Sequence, residues 1–354
     1  MLNEKEKKRY NRHLILDSVR EEGQKKLKAA KVLVIGAGGL GCPILQYLTA
    51  AGVGKIGIVD NDKIDYSNLQ RQVLYSTEDV EKGKAETAAH KLAAQNEFID
   101  FEVFNSRLTN QNAIEIFQPY DIIVDGTDNF TTRYLINDAC VLLNKPLVYG
   151  AIFKFEGQVS VFNYKNGPTY RCIFPEPPEP GTSPACSEIG VIGVLPGLIG
   201  TMQANEVIKL VLGFAGTLSG RLLLVNARTM AFNEISISRN ENLKDITKQE
   251  YQEFDYAHFC GLASGQDVIL NELNLQETFF LDVREEFEAP RLDTANLIEI
   301  PLNELKMRLN ELDSTKEMVV VCQAGVRSLK AIEILKSEGF TKLKNLKGGI
   351  IANF

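Results

Sequence analysis

Histidine is scarce in this chain, with three among 354 residues. His13 and His90 lie in polar, helix-patterned stretches and His258 in a polar connecting stretch. None is placed as the acid–base partner that hydride transfer to a small substrate needs. A surplus of basic charge is absent too. Lys and Arg number 39 against 46 Asp and Glu, for a net charge of -7, so the balance gives no support to nucleic-acid binding. No stretch approaches the roughly 20 apolar residues of a membrane span. The longest candidate, Gly190 to Met202, is glycine-rich and runs into Gln203, Asn205 and Glu206. The N-terminus is charged and lacks an apolar core, so no signal peptide is expected and the expected location is the cytoplasm. The six cysteines, Cys42, Cys140, Cys172, Cys186, Cys260 and Cys322, are scattered and are expected to be reduced. Each is then a packing residue, a metal ligand or a nucleophile.

What is present is an ordinary globular composition, 44% hydrophobic and 24% charged, which excludes disorder. The length predicts two or three domains. Lys31–Gly36, Lys55–Asp60, Phe101–Asn105, Asp121–Asp125 and Pro146–Tyr149 read as strands. Leu40–Ala51 and Lys84–Asn96 read as helices. Strands separated by helices predict a doubly wound parallel sheet. After Gly157 the pattern changes. Gln158–Tyr164 alternates like a half-exposed strand, and Asn166–Ile189 reads as a long polar loop. A helix is expected over Gly197–Leu212 and short strands near Arg221–Val225 and Phe232–Ile237. The expected organisation is a first domain over 1–238, a polar linker over 239–263, and a small α/β unit over 264–354. The last has strands at Phe279–Val283 and Met318–Cys322 and a helix at Ser328–Ser337.

The first predicted strand ends in Gly36-Ala37-Gly38-Gly39-Leu40-Gly41, a G-x-G-x-x-G running straight into a helix. Such a loop allows close backbone approach, and the helix N-terminus offers N–H groups to a phosphate. Asp60 ends the next strand, where an acid accepts from a ribose hydroxyl. A turn kept for packing alone would use the same glycines. Asp60-Asn61-Asp62, Ser67-Asn68-Leu69-Gln70-Arg71-Gln72, Lys84 and Asp125-Gly126-Thr127-Asp128-Asn129 follow. This set of cations and carboxylates suits a triphosphate with Mg2+ better than a nicotinamide dinucleotide.

Arg9-Tyr10-Asn11-Arg12-His13, the glycine loop, VDNDKID, SNLQRQ, Lys84 and GTDN together resemble the MoeB/ThiF family, relatives of ubiquitin-activating (E1-like) enzymes. The resemblance runs over roughly residues 5–237. The whole layout resembles the members with a fused C-terminal rhodanese domain. It implies a Rossmann-like mixed sheet of the activating-enzyme type plus a small rhodanese-like α/β domain. It implies ATP-dependent adenylation of the C-terminal glycine of a ubiquitin-like sulfur carrier of the MoaD/ThiS kind. Carried over by position, Gly36, Gly38, Gly39 and Gly41 lie against the nucleotide, and Asp60 binds its ribose beside Asp62. Ser67, Asn68, Leu69, Gln70, Arg71 and Lys84 line the phosphates, and Asp128 holds Mg2+ with Asn129 beside it. Arg12 reaches in from the partner subunit of a homodimer.

Cys186, in the polar loop, is placed to reach a bound acyl-adenylate. Cys322 opens Cys322-Gln323-Ala324-Gly325-Val326-Arg327 between a strand and a helix, and resembles the active loop of rhodaneses. Curled N–H groups, the helix dipole and Arg327 are expected to favour a thiolate or persulfide. The expected sulfur source is a cysteine desulfurase or thiosulfate. The sequence departs from the resemblance twice. The usual Gly-His-Ile segment of rhodaneses is missing, and Arg291–Asn296 stands there. The two C-x-x-C pairs of a structural zinc site survive only as Cys172 and Cys260, so no zinc is expected. Cys42 and Cys140 are expected in the core. The rival readings are a NAD-dependent oxidoreductase, a non-catalytic carrier-binding scaffold, and the same adenylation chemistry serving thiamin or peptide modification.

Overall fold

The computed structural model describes every residue except 179–189, 244, 261–266, 324 and 354, and leaves out the side chains of 258 and 326. The described chain forms two compact units. The first is Met1–Glu176 continued to Phe254, and the second runs from Asp255 onward.

The first unit opens with helices α1 (Glu4–Arg9), α2 (Asn11–Leu14) and α3 (Arg20–Ala29). Strands β1 (Lys31–Ile35) and β2 (Lys55–Val59) flank α4 (Gly41–Ala51). Helix α5 (Lys84–Gln95) leads to β3 (Asp100–Phe104), and α6 (Ala113–Phe117) to β4 (Ile122–Asp125). Helix α7 (Phe130–Leu142) precedes the hairpin β5 (Leu147–Phe153) and β6 (Glu156–Phe162). Helix α8 (Val194–Leu212), β7 (Arg221–Asn226), β8 (Ala231–Ser236) and α9 (Lys248–Glu253) complete the unit. The eight strands form one sheet in the order β3-β2-β1-β4-β5-β6-β7-β8, parallel through β5 and antiparallel beyond it. The mixed sheet is therefore as expected.

Val32, Leu33, Val34, Ile56 and Ile58 are fully buried, because helices cover both faces of parallel strands. Each such side chain stabilises the unit by about 1.5–3 kcal/mol relative to exposure. Strand β1 has β2 on one side and β4 on the other. The crossovers part there, which leaves a crevice at the C-terminal ends of β1 and β4, the usual ligand position of such sheets.

Two stretches carry more structure than their polarity suggests. The start of the 166–189 loop is pinned by a turn at Tyr170–Cys172, with Tyr170 buried against the rings of Tyr134 and Tyr149 at 5.1 and 5.4 Å. Within 239–263, Thr247 caps α9 and Tyr251 is fully buried. The Asn110 amide donates to the carbonyls of Gln252 and Phe254, at 2.9 and 3.1 Å.

The second unit holds α10 (Tyr256–Phe259), β9 (Asp267–Val268), β10 (Phe279–Asp282), β11 (Leu297–Glu299), β12 (Met318–Val321), α11 (Val326–Ser337) and β13 (Leu343–Leu346). Its sheet is parallel, in the order β11-β10-β12-β13-β9. Central strand β12 is buried along its whole length, which fits its continuous Met-Val-Val-Val run. Among the described residues no helix is long and apolar enough to cross a membrane.

Candidate functional site

The glycine loop turns directly from β1 into α4. A Cβ on Gly41 would lie 2.0 Å from the Gly36 carbonyl oxygen, so only glycine permits this approach. Asp60, just past β2, locks the loop. Its Oδ2 accepts from the Ala37 N–H at 2.7 Å and its Oδ1 from the Asp62 N–H at 2.8 Å. Burial raises the Asp60 carboxyl above its ordinary range, while nearby Lys84 opposes the rise. Lys84 opens α5 and is buried, and its Nζ donates to Asp62 Oδ2 at 2.9 Å. The Cys42 thiol lies under the loop, donating to the Ala37 carbonyl at 3.5 Å, and burial pushes it up to about 12. Cys42 and Cys140 are both fully buried on helices, as packing residues are.

The Ser67–Gln72 stretch borders the loop. Asp65 caps its opening turn by accepting from the Ser67 N–H at 2.7 Å, and Asn68 Oδ1 accepts from the Asp65 N–H at 3.3 Å. Arg71 Nη1 donates to the Ser67 carbonyl at 3.2 Å. Leu69 packs on the core and Gln70 is exposed. Gln72 is buried beside Gly38, and its Oε1 has no partner among the described residues. The motif carried no signal singling out Gln72.

Asp128 and Asn129 are exposed just past β4. Asn129 caps α7 by accepting from the Thr132 N–H at 2.9 Å. Behind them Asp125 is fully buried. Its carboxyl is raised by burial, against the opposing charge of Arg133 at 3.7 Å. Arg133 Nη2 also donates to the Thr127 carbonyl at 3.0 Å, and Gln203 Nε2 to the Asp125 carbonyl at 2.7 Å. Arg133 and Gln203 were not legible as site residues, since both lie inside helices. Arg12 is exposed on α2. The unit thus gathers backbone N–H groups, Lys84 and Arg71 beside the exposed carboxylates of Asp62 and Asp128. This donor set fits a polyphosphate, and an exposed carboxylate such as Asp128 is the hard oxygen ligand Mg2+ takes.

In the second unit Cys322 follows β12 and is buried. The Gly325 N–H donates to Cys322 Sγ at 3.1 Å, so one loop amide does curl onto the sulfur. Gly325 has φ +85°, a conformation L side chains rarely adopt, and a Cβ there would meet the Gly348 nitrogen at 3.1 Å. Ser328 Oγ lies 3.3 Å from Sγ. The Ile350 and Ile351 N–H groups donate to the carbonyls of Cys322 and Gln323 at 2.9 and 3.0 Å, closing the C-terminal turn over the loop.

Arg327 corrects the expectation drawn from its charge. Both its terminal nitrogens donate to Glu288, at 2.6 Å each, so its positive potential is shared with a carboxylate and is not reserved for the sulfur. Burial raises the Glu288 carboxyl, but the Arg327 hydrogen bonds outweigh it and the net direction is down. Asp282 and Arg284 form a buried pair at 2.7 Å, and Arg284 Nη1 donates to Gln323 Oε1 at 2.9 Å. Where the Gly-His-Ile segment is missing, Arg291 donates to Asp282 Oδ2 at 3.0 Å and pairs with Glu299 at 3.1 Å.

Cys172 Sγ accepts from the N–H groups of Thr169 and Asn240, at 3.3 and 3.4 Å. Cys260 is half-buried. Among the described residues no group of three or more His, Cys, Asp or Glu is placed to hold a metal ion. Cys186 lies outside the described residues.

Comparison with known proteins agrees with this division of chemistry. A ThiF family model matches residues 10–245, and a rhodanese-like domain model matches residues 266–352. The chain belongs to the ThiF family and carries a rhodanese-like domain. The probable adenylyltransferase/sulfurtransferase MoeZ of Mycobacterium tuberculosis is 42% identical, covering 99% of this chain and 93% of that protein. The sulfur carrier protein adenylyltransferase of Thermus thermophilus is 51% identical, over 72% of this chain and 96% of its own length. The crystal structure of E. coli MccB with MccA-N7isoASN superposes with a TM-score of 0.60 at 22% identity, over 68% of this chain and 74% of that one, a likeness of fold. The protein is an adenylyltransferase with sulfurtransferase activity, and the family implies ATP as its nucleotide.

Proposed function

We propose that the chain adenylates the C-terminal glycine of a ubiquitin-like sulfur carrier and then converts it to a thiocarboxylate with sulfur held on Cys322. The observation that carries the reading is the pairing, on one chain, of a glycine loop locked by Asp60 beside Lys84 with a loop that turns an N–H onto Cys322 Sγ. The sulfur carrier named for the Thermus relative supports the substrate class.

Adenylation needs no protein nucleophile, because the carrier's own carboxylate attacks the α-phosphate. The protein's part is to hold the chain of phosphates and offset its charge. Backbone N–H groups of the glycine loop, Asn68, Arg71 and Lys84 do this, with Arg12 supplied by the partner of a homodimer. Asp128 would hold Mg2+, which adds charge neutralisation on the phosphates. In the second step a persulfide on Cys322, loaded from a cysteine desulfurase or thiosulfate, attacks the acyl carbon and AMP leaves. This leaves an acyl disulfide on Cys322; the Cys186 thiolate attacks Cys322 Sγ, the thiocarboxylate leaves, and an external thiol reduces the Cys186–Cys322 disulfide so formed. In this reading the first 238 residues adenylate and residues 264–354 carry sulfur.

The test incubates the chain with ATP, Mg2+, thiosulfate, a thiol reductant and candidate carriers, and reads carrier mass alongside ATP–pyrophosphate exchange. The true carrier exchanges one oxygen for sulfur. Cys322→Ser removes that mass change and keeps pyrophosphate exchange. Undiminished exchange with a carrier lacking its terminal glycine would sink the first step, and a mass change that survives Cys322→Ser the second.

A further inference from the structure

Arg12 is exposed on α2, between two side chains that turn inward: Tyr10 is buried and His13 half-buried. The inward pair are tied to the far ends of α4 and α5. His13 Nδ1 lies 2.9 Å from Gln24 Oε1, and Gln24 is fully buried on α3. Gln24 Nε2 donates to the carbonyl of Ala51, the last residue of α4, at 2.9 Å. A carbonyl only accepts, so the Gln24 amide must turn its oxygen to His13, and His13 Nδ1 is the donor. The Tyr10 hydroxyl accepts from Asn96 Nδ2 at 3.0 Å, and the same amide group donates to the Thr49 carbonyl of α4 at 2.7 Å. Arg9 Nη2 donates to the carbonyl of Gln95, the last residue of α5, at 2.5 Å. Gly52 makes room for these anchors: a Cβ there would meet Gln24 Nε2 and Tyr10 Cζ at 2.6 Å each.

The anchors lie at the wrong ends of α4 and α5 for Arg12 to serve its own nucleotide. Helix α4 starts in the glycine loop and α5 starts at Lys84, and both are anchored to the Arg12 segment at their C-terminal ends. Helices of 11 and 12 residues put about 16–18 Å between those ends and the site, more than one arginine side chain spans. Ile15 and Leu16, next in the chain beyond α2, are exposed apolar residues that a second copy would cover.

We propose that His13, through Gln24, and Tyr10, through Asn96, are positioning residues that hold α2 so that Arg12 is delivered to the nucleotide of a second copy of the chain. The inference rests on the reading of Arg12 as a phosphate contact supplied across a homodimer. Its signature is that damage to an anchor is felt in the other subunit. A side chain that merely packs against α4 affects its own glycine loop.

The test measures binding of ATP with Mg2+ by calorimetry, without carrier or sulfur donor, on full-length dimers of defined composition purified through two different tags. The His13→Ala homodimer should bind about tenfold more weakly than the parent. His13→Asn, whose amide nitrogen can stand in for Nδ1, should bind within about threefold of the parent. In a heterodimer of a His13→Ala chain with a Lys84→Met chain, the competent site is served by an intact Arg12 segment and should bind with the parent's affinity. In a heterodimer of a parent chain with a His13→Ala/Lys84→Met chain, the competent site is served by the damaged segment and should bind about tenfold more weakly. The reversed pattern assigns His13 to its own site and overturns the proposal, as does unchanged binding in the His13→Ala homodimer. Arg12→Ala in the same two heterodimers tests the underlying reading. Unchanged binding or the reversed pattern there overturns that reading too. An Arg12→Ala effect that crosses subunits while the His13→Ala effect does not overturns the positioning role alone.

Discussion

The two units solve opposite electrostatic problems. The glycine-loop unit displays carboxylates: Asp62 and Asp128 are exposed, the first of them paired with a buried Lys84. The Cys322 unit conceals its charge: Asp282 and Arg284 are fully buried as a pair, and Arg327 is clasped by Glu288. A polyanion and its metal must be able to reach the carboxylates that meet them, so Asp62 and Asp128 are left open to solvent. Among the described residues the Cys322 sulfur is met by the Gly325 N–H and the Ser328 hydroxyl, and by no charged group. The contrast teaches that some carboxylates are left open where the ligand is a charged polyphosphate, and that charges are paired off where the reacting atom belongs to the protein.

The sharpest way to break the first unit while sparing the second is Gly41→Ala. The added Cβ would sit 2.0 Å from the Gly36 carbonyl oxygen, so α4 and the loop must part by about an ångström or more. ATP–pyrophosphate exchange is expected to fall by at least about a hundredfold, to background. Loading of Cys322 from thiosulfate should be unchanged, and loss of both would show that the two units do not act separately. Lys84→Met is the next largest. It deletes the cation that offsets Asp60 and Asp62, and exchange should fall by roughly a hundredfold. The same substitution lets the Asp60 carboxyl rise further, since burial already raises it and Lys84 is what opposes it. The variant should therefore recover part of its stability as pH falls, which urea unfolding of the full chain at two pH values would read.

The same contrast explains what was legible. Strands β1, β2, β4 and β12 are near-continuous apolar runs because both faces are covered, and the motifs at their ends were readable in place. Helix α7 escaped because its buried face includes Arg133, Asn137 and Asp138, which blur the apolar period. The displayed charges of the first site sit within short motifs. The charged groups of the second are joined across sequence: Glu288 lies 39 residues from Arg327, and Gln323 lies 39 from Arg284. No local pattern encodes such pairs, so Arg327 read as a free cation until Glu288 was seen beside it.

The smallest expected effect tests that clasp directly. Glu288 has its carboxyl lowered in the folded chain, so the pair contributes stability that is fully present above the ordinary glutamate range. That contribution is lost as pH falls through the lowered value. Glu288→Gln keeps the shape and cannot ionise. At neutral pH the amides of 325–328 in the full chain should exchange about threefold to tenfold faster in Glu288→Gln than in the parent. As pH falls through the parent's lowered value its carboxyl protonates as well, and the two rates should converge. Hydrogen exchange of that segment, parent against variant at each pH, reads the difference free of the intrinsic pH dependence of exchange. A constant ratio across the range would mean that shape and not charge joins Glu288 to Arg327. The second unit would then differ from the first in the amount of its charge and not in how that charge is paired.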